Sequence, residues 1–127
     1  MDACPICARG APLDVIADLG ATWATAGAEA PLPGYVCVVS KRHVVEPFEL
    51  PPAELDAFWR EAMLVARTVS GLLRPVKMNY EIHGNTIPHL HMHLYPRFAG
   101  DPGIGRGSFT RSPVQLERLA AAIAAAR

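Results

Sequence analysis

The sequence predicts an α+β domain in which helices cover an antiparallel sheet. Three observations lead to this fold class. Short segments rich in β-branched and aromatic residues are joined by hairpin-length turns, which favour antiparallel pairing. A long segment in the middle of the chain carries apolar residues at helical spacing. A second helix follows the last predicted strand, so the order is strands, helix, two strands, helix.

The first three strands precede the long helix. Residues 13–19 and 21–27 form two short predicted strands that meet at Gly20, and residues 35–41 form a buried one. Pro51 and Pro52 suit the first turn of the long helix, and Pro75 ends it. The helix is expected to turn one apolar stripe toward the core: Leu55, Phe58, Trp59, Ala62, Met63, Ala66, Val69 and Leu73.

The second half of the chain supplies a hairpin and the last helix. Residues 76–82 alternate as a strand, and a loop over 83–86 leads into a strand from about 90 to 97. Residues 112–115 (Ser-Pro-Val-Gln) form a capping box that opens a helix to about Ala126.

Composition limits the classes of function. The 127 residues carry no net formal charge, which argues against nucleic-acid or membrane partners held by electrostatic attraction. We expect a single domain over 1–127, which at this length needs no disulfides to fold. The start of the chain lacks the basic and apolar regions of a signal peptide. We therefore expect a cytoplasmic protein with three reduced cysteines.

Three histidines alternate with apolar residues near the end of the last strand pair. His89, His91 and His93 would share one face of a strand, while Leu90 and Met92 would face the core. Neighbours on one face lie roughly 6.6 Å apart, so the outer two histidines would be about 13 Å apart. One metal ion could hardly bind all three. The spacing therefore predicts that the histidines divide their roles.

The middle histidine is placed to attack phosphorus. A neutral imidazole is a nucleophile that forms a phosphorus–nitrogen intermediate, provided that its other nitrogen donates to a fixed acceptor. A neighbouring histidine could protonate the leaving group, and the Gly84-Asn85-Thr86 turn could bind phosphate oxygens. The alternative is a half-buried strand whose histidines merely lie at its surface. Three histidines in strict alternation make this alternative much less attractive.

The segment from His89 to Tyr95 resembles the signature of the histidine triad (HIT) family, in which each of three histidines is followed by a hydrophobic residue. Residues 84–87 are similar to the family's Gly-Gln-Ser/Thr-Val, and residues 41–44 to its Pro-Lys-x-His turn. The resemblance runs from about Cys4 to Arg97. It implies a five-stranded antiparallel sheet and a homodimer.

The same resemblance implies hydrolysis or transfer of nucleoside monophosphates, with phosphoramidates, dinucleoside polyphosphates or related esters as substrates. It makes His91 the nucleophile, His93 and Thr86 phosphate contacts, and Asn79 and Asn85 polar supports. Two alternatives remain open. One is a nucleotide-binding module with little turnover, and the other is a zinc-stabilised interaction domain.

A second set of residues predicts a metal site. Cys4 and Cys7 have the two-residue gap of a zinc knuckle, and a tetrahedral zinc needs two further ligands. The resemblance supplies His43 and His89, which complete the site in zinc-containing members. The zinc would be structural. A redox Cys-x-x-Cys pair and two ordinary reduced cysteines are the alternatives.

The chain departs from the family pattern at two positions of interest. Many members carry an acidic residue after the second strand that holds the ribose hydroxyls. Counting back from His43 puts Gly27 or Ala28 at this place, with Glu29 nearby. Tyr35 stands where several members have a further histidine.

Overall fold

The computed structural model describes residues 4–101 and 112–126, in which five strands form one antiparallel sheet in the order β1-β2-β3-β5-β4. The strands are β1 (Val15–Asp18), β2 (Thr22–Thr25), β3 (Val36–Ser40), β4 (Lys77–Ile82) and β5 (His91–Arg97). The helices are α1 (Pro5–Arg9), α2 (Pro52–Leu73) and α3 (Pro113–Ala126), with a short 3₁₀ turn at Pro47–Glu49. The α+β fold class and each of the five predicted strands are confirmed. The helix α1 and the 3₁₀ turn were not predicted.

The strand β5, which carries two of the three histidines, lies inside the sheet. Strands β1, β2 and β3 follow one another as antiparallel neighbours, after which α2 crosses one face of the sheet. Strand β4 then takes the edge, and β5 returns between β4 and β3. As a result, His93 lies opposite Cys37 of β3 on one side and Glu81 of β4 on the other.

The hydrophobic core lies between α2 and the sheet. Leu90, Met92 and Leu94 are almost completely buried there, as the alternation of the histidine segment predicted. The other buried members of this core are Val38, Leu50, Phe58, Ala62, Ala66 and Met78. Full burial of a side chain such as Phe58 contributes roughly 2 kcal/mol to stability.

The predicted stripe of α2 is partly wrong. Trp59 and Leu73 are 42% and 43% exposed, whereas Phe58, Ala62 and Ala66 are buried. Trp59 lies at the edge of the buried face of α2 and packs edge-on against Phe58, with ring centroids 5.9 Å apart. Leu73 is the last residue of the helix. Periodicity identified the face of the helix correctly, but not how far along and around it the core extends.

A carboxylate of α2 fixes the helix to the β1–β2 turn. Glu61 accepts a hydrogen bond from the Thr22 hydroxyl at 2.6 Å and another from the Ala21 backbone N–H at 3.1 Å. Thr22 is completely buried, so this bond satisfies a hydroxyl that water cannot reach. The helix ends at Leu73, and the next residue, Arg74, adopts a left-handed conformation with φ 53° just before Pro75.

The last helix begins with the predicted capping box. The Ser112 hydroxyl accepts from the Gln115 N–H at 3.2 Å, and the Gln115 side chain accepts from the Ser112 N–H at 2.7 Å. Every side chain of α3 whose burial is described is exposed. Within the described residues, no helix combines the length and the apolar character needed to cross a membrane.

Candidate active site and metal centre

The structure divides the three histidines between two sites. His89 lies just before β5, where its side chain is 1% exposed and belongs to a cluster of cysteine and histidine ligands. His91 and His93 lie on β5, are partly exposed, and line cavities on the sheet face opposite α2. The rings of His91 and His93 meet edge to face, with centroids 4.8 Å apart.

A backbone carbonyl fixes the tautomer of His91. Its Nδ1 lies 2.6 Å from the carbonyl oxygen of His89. A carbonyl can only accept, so Nδ1 carries the hydrogen and Nε2 is left with a free lone pair. The imidazole is therefore oriented as a nucleophile requires, by the backbone of the preceding histidine.

A phenol supports His93. The Tyr35 hydroxyl lies 2.6 Å from Nδ1 of His93, and the Tyr35 ring stacks on Tyr95 at 4.8 Å between centroids. Burial raises the pKa of Tyr35, and burial followed by the neighbouring His91 lowers the pKa of His93. Both groups thus favour their neutral forms. With the phenol as donor, His93 carries its hydrogen on Nε2 and can donate it to a ligand.

One cavity of about 450 Å³ lies beneath the loop that precedes the triad. It is lined by His83, Gly84, Asn85, Thr86, Ile87, His91 and His93. Thr86 and Asn85, both predicted from the sequence, thus lie at the same cavity as the two histidines. The backbone N–H groups and the hydroxyl of this loop suit phosphate oxygens.

Asn79, the remaining predicted side chain, is not among the residues that line this cavity. It lies on β4 opposite Tyr95, and its side-chain oxygen accepts a hydrogen bond from Arg97 at 3.1 Å. Arg97 also donates to Asp101 at 3.4 Å. Asn79 therefore contacts the end of β5 rather than the loop.

A second cavity of about 280 Å³ meets the first at Ile87, His91 and His93. Its remaining walls are mainly apolar and come from α1, the segment before β1, strands β2 and β3, and the residue before β3: Ile6, Arg9, Pro12, Leu13, Thr25, Tyr35, Cys37 and Val39. Sequence reasoning missed Ile6 and Arg9, because a helix of five residues is too short to show a periodic pattern.

The four predicted metal ligands lie together at one end of the sheet. One ligand atom from each of Cys4, Cys7, His43 and His89 lies within 4.8 Å of the others. Nδ1 of His43 and Nδ1 of His89 are 3.0 Å apart, and the thiols of Cys4 and Cys7 lie 3.5 and 3.7 Å from Nδ1 of His89. In a tetrahedral site with zinc–sulfur bonds of about 2.3 Å and zinc–nitrogen bonds of about 2.0 Å, ligand atoms lie roughly 3.3–3.8 Å apart.

The surroundings of the cluster also suit a metal ion. Nε2 of His89 donates to the Ser40 carbonyl at 2.6 Å, which leaves Nδ1 unprotonated toward the thiols. Burial lowers the pKa of His89 and favours the neutral ring that a ligand must have. The Cys7 backbone N–H donates to the Cys4 sulfur at 3.4 Å. A Cys₂His₂ metal site therefore fits these residues.

Known proteins resemble this chain in sequence and in fold. The family model described as HIT domain matches residues 9–100. A bis(5'-nucleosyl)-tetraphosphatase (asymmetrical) from Schizosaccharomyces pombe is 31% identical over 75 residues, which cover 55% of this chain and 41% of that protein. The chain thus matches less than half the length of this relative.

Solved structures have the same architecture. A member of the HIT family of proteins from Bacillus subtilis superposes with a TM-score of 0.77 over 97% of this chain and 96% of that one, at 20% identity. A histidine triad (HIT) protein from Sinorhizobium meliloti gives a TM-score of 0.65 over 86% of this chain and 84% of its own, at 28% identity.

Proposed function

Because the chain belongs to the HIT domain family, we propose that it is a nucleotidyl hydrolase or transferase that works through a covalent intermediate on His91. The proposed substrates are nucleoside phosphoramidates, dinucleoside polyphosphates or related nucleotide esters. The tetraphosphatase name of the Schizosaccharomyces pombe relative supports hydrolase activity on nucleotides.

One observation carries the proposal: His91, whose Nδ1 is held by the His89 carbonyl, lines both the cavity beneath the loop and the apolar cavity beside it. The cavity beneath the loop of Asn85 and Thr86 would hold the phosphates. The apolar cavity, beside Leu13 and Tyr35, would hold the nucleoside. A nucleotide that spanned both would place its α-phosphorus at His91.

The first step transfers the nucleotidyl group to the protein. The lone pair of His91 Nε2 attacks the α-phosphorus, and a phosphorus–nitrogen bond forms as the bond to the leaving group breaks. The leaving amine or phosphate takes its electron pair and accepts a proton from the solvent, while Nε2–H of His93 donates a hydrogen bond to a phosphate oxygen. The His89 carbonyl stabilises the positive charge that His91 gains, because it accepts from Nδ1–H.

The second step releases the nucleotide. The oxygen of a water molecule attacks phosphorus and its proton passes to the solvent, while Nε2–H of His93 keeps its hydrogen bond to the phosphate. The phosphorus–nitrogen bond breaks, nucleoside monophosphate leaves, and His91 returns to its starting form. Thr86 and Asn85 would bind the non-bridging phosphate oxygens in both steps. Asn79 would act indirectly, through its hydrogen bond with Arg97.

The proposed metal is a structural zinc held by Cys4, Cys7, His43 and His89. Four protein ligands leave a tetrahedral zinc no open position for a substrate, so its contribution would be to fix the ligands in place. It would tie α1 to the residue that precedes β5.

Turnover of a fluorogenic adenosine phosphoramidate and of a diadenosine polyphosphate tests the proposal. We expect His91→Ala to lose at least roughly a thousandfold in kcat. The matched control is His83→Ala, because His83 lines the same cavity but pairs with Glu81 at 2.9 Å. Alkaline quenching followed by mass spectrometry should find a nucleotidyl group on the His91 peptide of the wild type.

Equal turnover by wild type and His91→Ala would reject His91 as the nucleophile. Tight binding of AMP without product from any substrate would instead identify a nucleotide-binding module. Failure to bind AMP would favour an interaction domain.

A further inference from the structure

Among the described residues that line the apolar cavity beside His91, Arg9 alone carries a fixed charge. Most of the others are apolar, and the rest are neutral polar groups or imidazoles. The Arg9 side chain is exposed, and within the described part of the chain no hydrogen bond or ion pair engages it. Binding cavities typically combine apolar walls with a few polar groups that orient the ligand. Arg9 is a group of this kind that the proposed chemistry at His91 does not use.

The short helix α1 fixes the backbone of Arg9 over the sheet. Ile6 is 6% exposed and packs with Cys37 and Val39 of β3. Residues three apart on a helix are neighbours on its surface, and Ile6 and Arg9 both line the cavity. Gly10 ends the helix directly after Arg9, with φ 83° and its N–H donating to the Ile6 carbonyl at 2.9 Å. The guanidinium therefore reaches a ligand from an anchored backbone.

The position of Arg9 indicates which part of a nucleotide it would meet. It is not among the described residues that line the cavity beneath the loop, where Asn85 and Thr86 would bind phosphate. In the apolar cavity, Leu13 is 64% exposed and offers apolar surface that a flat ring could cover. The base is the largest apolar part of a nucleotide. With its plane against these walls, its polar edge would meet Arg9.

The guanidinium restricts which base edge it can bind. It donates through five N–H groups and accepts none. Guanine and hypoxanthine each present two adjacent acceptors, O6 and N7, which match the planar fork of an arginine. Adenine presents N7 beside an N6 amino group, which is itself a donor. The ribose hydroxyls are the same in all of these nucleotides, so contacts to them cannot distinguish one base from another.

We infer that Arg9 recognises the base of the substrate and makes the site selective for 6-oxopurine nucleotides over adenine nucleotides. In this arrangement O6 and N7 of the base accept hydrogen bonds from the guanidinium. The inference rests on the proposed function, since it assumes a nucleotide with its phosphate at His91 and its base in the apolar cavity. Adenine nucleotides would still bind, but more weakly.

Two arginine variants separate base recognition from a general effect of charge. Arg9→Met keeps much of the apolar length of the side chain and removes all of its donors. Because Arg9 is exposed, this variant should fold. Arg60→Met is the matched control, since Arg60 is exposed on α2 and is not among the described residues that line either cavity.

Calorimetric titration of the full chain with GMP, IMP and AMP tests the inference without requiring turnover. We expect wild type and Arg60→Met to bind GMP and IMP roughly tenfold more tightly than AMP, the effect of one bidentate contact between arginine and a purine. IMP has O6 and N7 but lacks the 2-amino group of GMP, so it isolates the edge that Arg9 would bind. Arg9→Met should bring both ratios close to one.

Wild-type protein that binds IMP no more tightly than AMP would overturn the inference, and this result needs no variant. An equal loss of affinity for all three nucleotides in Arg9→Met would assign Arg9 to the phosphate or the sugar and overturn it as well. In either case, turnover by wild type would keep the proposed function intact. If Arg9 controls the GMP to AMP ratio but no substrate is turned over, the inference stands and the proposed enzyme activity fails.

Discussion

The carbonyl oxygen of His89 accepts a hydrogen bond from Nδ1 of His91 at 2.6 Å, while the imidazole of the same His89 belongs to the Cys₂His₂ cluster. One residue therefore contributes its side chain to the candidate metal site and its backbone to the candidate nucleophile. Any displacement of His89 would move the acceptor that fixes the His91 tautomer. The two sites are joined through a single peptide group.

Removing a metal ligand should lower both metal content and stability. We expect Cys7→Ser to lose zinc binding and to unfold at a lower temperature, because the metal joins α1 to the sheet. Atomic emission analysis measures the metal per chain, and thermal unfolding with and without a chelator measures the stability. Cys37→Ala is the matched control, since Cys37 is a buried cysteine on β3 outside the cluster.

One zinc per wild-type chain, retained by Cys37→Ala, would support the site. The site would be contradicted if wild-type protein prepared with zinc contained no metal and its unfolding temperature did not change with the chelator.

Removing the Tyr35 hydroxyl should impair His93 specifically. Tyr35→Phe keeps the ring that stacks on Tyr95 but deletes the 2.6 Å hydrogen bond to Nδ1 of His93. We expect kcat to fall roughly tenfold, which corresponds to about 1.4 kcal/mol, with a smaller change in KM. Steady-state kinetics measures both. Tyr80→Phe is the control, because Tyr80 lies on β4 and is 43% exposed; an equal loss in both variants would count against the assignment.

The titration of His93 should be shifted to low pH. Burial, then the neighbouring His91, lowers its pKa from an ordinary value of 6.5 in the folded protein. The unfolded chain therefore takes up a proton at a higher pH than the folded chain does, so folding stability should decrease as pH falls below 6.5. Proton NMR of the imidazole measures the midpoint directly.

Thermal unfolding between pH 7 and pH 5 provides an independent check on His93. His93→Gln lacks the group and should lose less stability over this interval than wild type. An NMR midpoint at or above 6.5 would show that burial does not dominate the environment of this ring.

Two glycines should respond in opposite ways to alanine. Gly34 has φ 79°, and a Cβ there would meet the side chains of Leu73 and Pro96, so Gly34→Ala should destabilise the fold by about 1–3 kcal/mol. Gly71 lies in α2 with nothing within 4 Å of a built Cβ, so Gly71→Ala should stabilise it by up to about 1 kcal/mol. Urea unfolding measures both, and equal shifts would contradict the packing around Gly34.

The features that depend on local pattern could be predicted from sequence. Alternation around His91 gave the strand, its buried face and the separation of the histidines, because strand geometry is fixed by a two-residue period. The ligand cluster of Cys4, Cys7, His43 and His89 could be proposed from spacing together with family resemblance. Its assembly in the structure agrees with that proposal.

The features that depend on tertiary contacts could not be predicted from sequence. Nothing local to Asp14 shows that its carboxylate lies beside Gly27, since the two residues meet only through the packing of separate segments. The place of Arg9 in a cavity wall follows from where the cysteine cluster holds α1. The prediction that Trp59 faces the core was wrong, because helical periodicity shows which side of a helix is buried but not how wide the buried surface is.

The interior position of β5 affects how rigidly the backbone holds the candidate nucleophile. Over residues 92–94 its backbone is paired with β3 on one side and with β4 on the other, so this part of the strand has no free edge. Amide protons in such a strand exchange with deuterium only when much of the sheet opens. The nucleophile would then rest on one of the slowest-exchanging segments of the molecule, and adjustment to different substrates would fall to the surrounding loop and to α1.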